Sequence, residues 1–152
     1  MSMNALFICR NNTARSQVAM EFARRLSNGK FDSGGIEVEE PDKLVKDRPS
    51  AQSIVQAMRE FSIDIADNQR IKLTKQMAQG YDKIIIMAEP ETVPAWLAEK
   101  PNVEYWQIMD AKHQPIEVAR QFCDQILKKV GGLFGYTEKQ SKRMVKNRGI
   151  DW

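Results

Sequence analysis

The sequence predicts an α/β protein: a single doubly wound domain with a four-stranded parallel sheet flanked by helices, and a phosphate loop between the first strand and the first helix. Three observations predict it. Short apolar runs alternate with amphipathic stretches along the chain, the order that builds a parallel sheet with helices over its faces. The run Lys83-Ile84-Ile85-Ile86-Met87 is apolar over four consecutive residues, as a strand covered on both sides requires. Cys9 closes the apolar run Ala5-Leu6-Phe7-Ile8 and is followed by Arg10-Asn11-Asn12-Thr13-Ala14, then by Arg15-Ser16 at the head of an amphipathic stretch. In such folds ligands bind beyond the carboxyl ends of the strands, and Cys9 falls at that edge.

The elements follow in order. Asn4 to Ile8 reads as the first strand. From Ala14 to Leu26, Val18, Phe22 and Leu26 recur every four positions beside Ala19 and Ala23, which predicts a helix with Arg24 and Arg25 outward, ended by Asn28-Gly29. A short strand is expected around Phe31 to Ser33, stopped by Gly34-Gly35, and Glu37 to Lys46 is a polar, acidic connection. Ser50 is placed to cap a helix running to about Phe61, with Ile54, Ala57, Met58 and Phe61 on one face. Leu73 to Ala78 is expected as a short helix capped by Thr74, followed by the strand at Lys83 to Met87. Glu91 to Glu99 is expected to be helical, Val103 to Ile108 to be a fourth strand, and Pro115 to Val130 a helix ended by Gly131-Gly132.

A chain of 152 residues with 42% hydrophobic content suits one domain with one core. Residues 1–132 are assigned to the α/β domain, and residues 133–152 to a basic C-terminal extension, helical and part of the same domain. The net charge is only +3, and in the extension Lys139, Lys142, Arg143, Lys146 and Arg148 face only Glu138 and Asp151. This reads as a solvated helix face, with contact to nucleic acid or an acidic partner as the alternative. Basic and aromatic residues do not interleave as a base-stacking platform requires, so no nucleic-acid partner is expected. No apolar run approaches the roughly 18 residues of a membrane span, and Met1-Ser2-Met3-Asn4 lacks the pattern of a signal peptide, so the expectation is a cytoplasmic protein without a membrane partner. Two cysteines, Cys9 and Cys123, are too few for a disulfide framework and point to reduced thiols. The sequence sets no oligomeric state.

The chemistry follows from the loop. A thiol at a helix N-terminus beside an arginine is favoured as thiolate, the nucleophilic form. The backbone N–H groups of Arg10, Asn11, Asn12, Thr13 and Ala14, with Ser16, are the candidate phosphate-binding groups. Arg15 presents a planar fork for two equatorial oxygens of a phosphoryl group. Ser16 is placed to donate to the thiolate, and Asn12 to take the left-handed backbone of a tight anion loop. Phosphoryl transfer through cysteine also needs a proton donor for the leaving oxygen. Asp110, on the loop after the fourth strand, is the candidate general acid, and in a second step the base that activates water. Cys123 shares a helical face with Ala119, Ile126 and Val130 and is read as core, and the lone His113 as a loop residue.

These residues resemble the low-molecular-weight protein tyrosine phosphatases and the arsenate reductases that share their fold. The resemblance covers about Asn4 to Val130. It rests on Leu6 to Gln17 at the phosphate loop, Ser33-Gly34-Gly35, Ile84-Ile85-Ile86-Met87 and Ile108-Met109-Asp110. It implies Cys9 as nucleophile, Arg15 as oxyanion ligand, Asp110 as general acid, and Asn12, Ser16 and Ser33 as the network supporting the loop. It also implies that no metal and no organic cofactor is needed for the phosphatase reaction. The chain departs from the family pattern as well. Asp-Pro followed by tyrosines is replaced by Asp110-Ala111-Lys112-His113, a histidine expected near Asp67-Asn68-Gln69 is absent, the aspartate after the third strand is Ala88, and the second loop cysteine is Ala14. No pair of cysteines follows the third strand, against thioredoxin coupling. The expected activity is hydrolysis of a phosphorylated protein or a small aryl phosphate through a phosphocysteine. The alternatives are a single-cysteine arsenate reductase coupled to a small thiol or glutaredoxin, and an oxyanion-binding regulatory protein with little turnover.

Overall fold

The computed structural model describes residues 3–40 and 43–148. Its elements are β1 (Ala5–Cys9), α1 (Arg15–Leu26), β2 (Phe31–Gly35), α2 (Gln52–Arg59), β3 (Lys83–Ile86), α3 (Ala95–Ala98), β4 (Val103–Tyr105), α4 (Ile116–Leu133) and α5 (Glu138–Arg148). The four strands form one parallel sheet in the order β2-β1-β3-β4, with Cys9 level with Gly35 and Ile8 level with Ile86. The chain leaves β1 through α1 toward β2 and later crosses back to β3 on the other side. The crevice at the end of β1 is therefore the switch point where doubly wound sheets bind ligands.

Side chains of a strand alternate between faces, and the core divides accordingly. Ala5, Phe7, Cys9, Ile85 and Met87 pack with the apolar stripes of α1, α2, α4 and α5. Leu6, Ile8, Ile84 and Ile86 pack against a thinner cover, chiefly Leu73, Ala78 and Leu97 of α3. The sheet is flanked on both faces, as the sequence predicts, but four of the five helices lie on one of them. Val145 and Ser141 of α5 are buried, Lys142 pairs with Asp124 at 3.5 Å, and Lys146 lies 5.8 Å from the Phe61 ring centre. Part of the basic face is thus turned onto the body. Asp151 and Trp152 lie outside the described residues.

Several sequence expectations need correction. The segment Leu73 to Ala78 is a set of turns, although Thr74 Oγ accepts the Met77 N–H at 3.1 Å as a cap would. The Leu73 amide is held by the Gly35 carbonyl, the Ala78 N–H reaches the Thr74 carbonyl at 3.3 Å in a single turn, and Gly80 at φ +86° turns the chain before that turn is continued. Glu91 to Glu99 is interrupted at Pro94, which holds Val93 extended and makes Ala95 the first residue of α3. The fourth strand ends at Tyr105, where the pairing with Ile86 stops. Ser50 makes no cap; it sits in a 3-10 turn, Pro49–Ala51, that leads into α2, and α2 ends at Arg59 before the left-handed Ser62. The second strand runs on through both glycines to Gly35. Likewise α4 continues through Gly131-Gly132 to Leu133. A Cβ on Gly131 would lie 1.9 Å from Ser141 Oγ, so this glycine serves the close approach of α5.

Candidate active site

The loop between β1 and α1 is built to leave donors unused. Among the described residues, no N–H of residues 11–15 donates to a protein acceptor, and α1 begins at Arg15 without a side-chain cap and without an acidic residue in its first turn. Uncapped helix N–H groups and inward loop amides attract an anion. Asn12 makes the curl possible at φ +49°, a conformation asparagine tolerates better than most residues. Its buried side chain then ties the loop together. The amide oxygen accepts the Ile71 N–H at 2.8 Å and Gln17 Nε2 at 3.0 Å, which leaves Nδ2 to donate to Ser16 Oγ at 2.8 Å and Ser33 Oγ at 2.9 Å.

Ser16 Oγ lies 3.0 Å from Cys9 Sγ, and because the serine oxygen already accepts from Asn12, its own proton is available to donate to a thiolate at position 9. Gly35 keeps this packing possible: a Cβ there would stand 2.8 Å from the Asn12 nitrogen and 2.5 Å from Val38 Cγ2.

Arg15 is nearly buried and crosses behind the strand ends. Its Nη1 donates to the Met87 carbonyl at 2.6 Å, to Glu89 Oε1 at 3.1 Å and weakly to the Ile108 carbonyl at 3.4 Å. Burial disfavours the Glu89 carboxylate, but its own amide and Arg15 outweigh this and hold it below the usual carboxylate range. Glu89 was not singled out in the sequence, where the absence of an acid at position 88 stood out instead. The partner for Arg15 is one residue further along.

A cleft of about 50 Å³ opens over the loop. Cys9, Asn11, Thr13, Ala14 and Arg15 form its base, with Asp110, Lys112, Arg48 and Ser50 among its walls, and among the described residues no aromatic side chain lines it. Asn12, Ser16 and Ser33 stand behind the loop, outside the cleft lining. The Arg10 side chain turns away to Glu37 at 2.8 Å, so only its backbone belongs to the loop. Asp110 Oδ1 accepts the Lys112 N–H at 3.1 Å, Ala111 is buried, and the His113 N–H donates to the Ser50 carbonyl at 3.0 Å with His113 at φ +60°. Burial of Ala111 and this docking onto the approach to α2 fix the loop where a proline is missing.

The segment without its expected histidine also supports the loop, through other groups. Gln17 Nε2 donates to the Gln69 carbonyl at 3.1 Å, while Asn68 Nδ2 donates to Gln17 at 3.2 Å and to Glu21 at 3.1 Å. Arg70, 1% exposed, donates through Nε to Thr13 Oγ at 3.1 Å, through Nη2 to the Asn11 carbonyl at 3.1 Å and through Nη1 to the Glu39 carbonyl at 3.2 Å. Burial lowers its pKa, as does Arg48, against the pull of Cys9 and two nearby glutamates. Sequence reasoning missed Arg70. The sequence carries no linear signal for it; the bridge between Gly35 and Lys72 that brings this segment to the loop exists only in the fold. Cys123 lies deep in the core, where burial pushes its thiol up to about 12.

No family model matches the chain. Among curated proteins it is similar to a glutaredoxin arsenate reductase of Synechocystis sp., with 30% identity over 132 residues that span 84% of this chain and 93% of the relative. The chain belongs to the family of low-molecular-weight protein tyrosine phosphatases and arsenate reductases. Solved structures with the same fold include a low-molecular-weight protein tyrosine phosphatase from T. tengcongensis, at TM-score 0.71 and 20% identity over 88% of this chain and 98% of that one. An arsenate reductase in a phosphate binding state matches at TM-score 0.68 and 26% identity over 86% and 95%. The chain is thus an enzyme of this family, whose members are phosphatases and arsenate reductases. Among its described residues, no helix is long and apolar enough to cross a membrane, and no group of three His, Cys, Asp or Glu could hold a metal ion.

Proposed function

We propose that the protein is a phosphomonoester hydrolase acting through a phosphocysteine. The observation that carries this reading is that Asp110 lines the same cleft as Cys9 and Arg15. In the first step the Cys9 thiolate attacks phosphorus, the S–P bond forms, and the bond to the leaving oxygen breaks as Asp110 delivers its proton to that oxygen. The free loop N–H groups and Arg15 meet the charge on the equatorial oxygens. In the second step Asp110 takes a proton from water, the water oxygen attacks phosphorus, and S–P cleavage returns the thiolate with inorganic phosphate. Ser16 steadies the sulfur as nucleophile and as leaving group. Asn12 and Ser33 hold Ser16 in that role. A nucleophilic thiol at position 9 is most readily kept reduced in a reducing compartment, which supports a cytoplasmic setting.

The curated relative supports a second reading, arsenate reduction. Cys9 would displace hydroxide from arsenate, and an external thiol such as glutathione would attack the Cys9 sulfur. The electron pair of the S–As bond would pass to arsenic, releasing arsenite and leaving a mixed disulfide for a second thiol to reduce. With Cys123 sequestered in the core, the resolving thiol must come from outside the chain.

Hydrolysis of p-nitrophenyl phosphate tests the first reading and reduction of arsenate with glutathione and glutaredoxin the second. Cys9→Ser is expected to abolish hydrolysis, and Asp110→Asn to lower kcat about 10²-fold or more. Wild-type hydrolysis no faster than that of Cys9→Ser sinks the phosphatase reading. Phosphate binding without either turnover supports an oxyanion-binding protein instead.

A further inference from the structure

The mouth of the cleft holds two cations that the chemistry above does not use. Arg48 enters from the β2–α2 connection and Lys112 from the loop after β4; both line the cleft over Cys9, and Arg48 stands at its border with the neighbouring groove of Gln52 and Arg59. Arg48 is held on a stiff backbone. It lies between the 3-10 turns Val45–Asp47 and Pro49–Ala51, its N–H donates to the Val45 carbonyl, its carbonyl accepts from Ala51, and the following proline keeps it extended at φ −105°, ψ 104°. Among the described residues its guanidinium has no ion pair and no hydrogen bond, although the side chain is partly buried. Its influence is felt instead on Arg70, whose pKa it lowers. Two guanidinium groups near the loop repel each other, and among the described residues the only acid lining the cleft is Asp110. Lys112 has only a loose partner there, Asp110 at 3.8 Å. In the reactive state Asp110 must carry its proton, which removes that partner as well.

The phosphoryl group itself is matched by the loop N–H groups and Arg15. Beyond the bridging oxygen, Arg48 and Lys112 are the charged side chains that line the cleft besides Arg15 and Asp110, and among the described residues no ring lines it. We infer that Arg48 and Lys112 form a second anion subsite, and that the enzyme selects phosphomonoesters whose leaving group carries another negative charge close to the phosphoryl. The substrate claim rests on the phosphatase reading, whereas the subsite can be tested without turnover.

The binding arm uses Cys9→Ser protein and isothermal titration with inorganic phosphate and with pyrophosphate, whose second phosphate reaches the mouth. The turnover arm uses wild type and two phosphotyrosine peptides identical except that glutamates flank the phosphotyrosine in one and glutamines in the other, so the leaving phenol is the same. Pyrophosphate is expected to bind more tightly than phosphate, and the glutamate peptide to show the higher kcat/KM, each by about 5- to 10-fold, the scale of two partly exposed charge pairs. Both preferences should shrink toward one in Arg48→Gln with Lys112→Gln and weaken in high salt. Lys128→Gln, exposed on α4, should retain them. Equal affinities in the binding arm, or a preference that survives the double substitution, overturns the subsite. A retained binding preference with neither peptide hydrolysed sinks the phosphatase reading and the substrate claim, and upholds the subsite.

Discussion

Asn12 and Arg70 show how much of the loop rests on single side chains. Asn12 uses its amide nitrogen twice and its carbonyl oxygen, and so leaves the Ser16 proton available to the Cys9 sulfur. Arg70 closes the outer side of the loop with a planar fork that reaches two of its residues and the Glu39 carbonyl. Arg70→Met would leave those buried acceptors without a donor, at a cost of about 2–4 kcal/mol, and loosen the base of the cleft. The expected outcome is a lower urea midpoint together with a kcat reduced about tenfold, and only partial recovery in Arg70→Lys, since an ammonium lacks the fork. An unchanged midpoint would remove Arg70 from the loop's support. Asn12 and Ser16 were legible in the sequence because they adjoin Cys9. Arg70 was not, because it lies about sixty residues away in sequence and only folding brings it to the loop.

At the level of elements, periodicity located α1 and the apolar run of β3 well, since each faces the core through a stripe or run that the sequence displays. Ends were harder. Gly131-Gly132 reads as a stop, yet the helix passes through it, because whether glycine ends a helix or admits a neighbour depends on what packs there. The two positions separate these roles. Gly131→Ala forces a Cβ to within 3.0 Å of Ser141 Cβ as well as against its hydroxyl, and is expected to destabilise the protein by about 1–3 kcal/mol. Gly132→Ala meets nothing within 4 Å and should stabilise it by about 0.5–1 kcal/mol through lower backbone entropy in the unfolded chain. Thermal unfolding of the two variants should shift Tm in opposite directions. A shared sign would mean that α5 does not depend on this close approach.

Across the whole molecule, helices distant in sequence are joined at their surfaces, and one such contact is sensitive to pH. Just past the end of α2, Glu60 takes a forked hydrogen bond from Arg120 of α4, at 2.7 to 3.2 Å, and this lowers its pKa against the opposing effect of desolvation. A carboxylate with a depressed folded-state pKa stabilises the fold above its ordinary value, and that contribution is lost as pH falls below about 4.5 toward the folded-state pKa. Glu60→Gln should therefore flatten the fall of the urea midpoint in that acid window, and a slope identical to wild type would discount the pair. The sequence by itself determined the parallel α/β class, the strand that delivers Cys9, the loop up to Ser16 and the position of Asp110, because these follow from local periodicity and from residues adjacent in the chain. Only the tertiary structure decided that Glu89 pairs with Arg15, that Arg70 braces the loop, that Asp110 shares a cleft with Cys9, and that Arg48 and Lys112 line that cleft as well. Those are contacts between segments up to about a hundred residues apart. They are settled by how the sheet edge and its loops pack in space, which no spacing along the chain encodes.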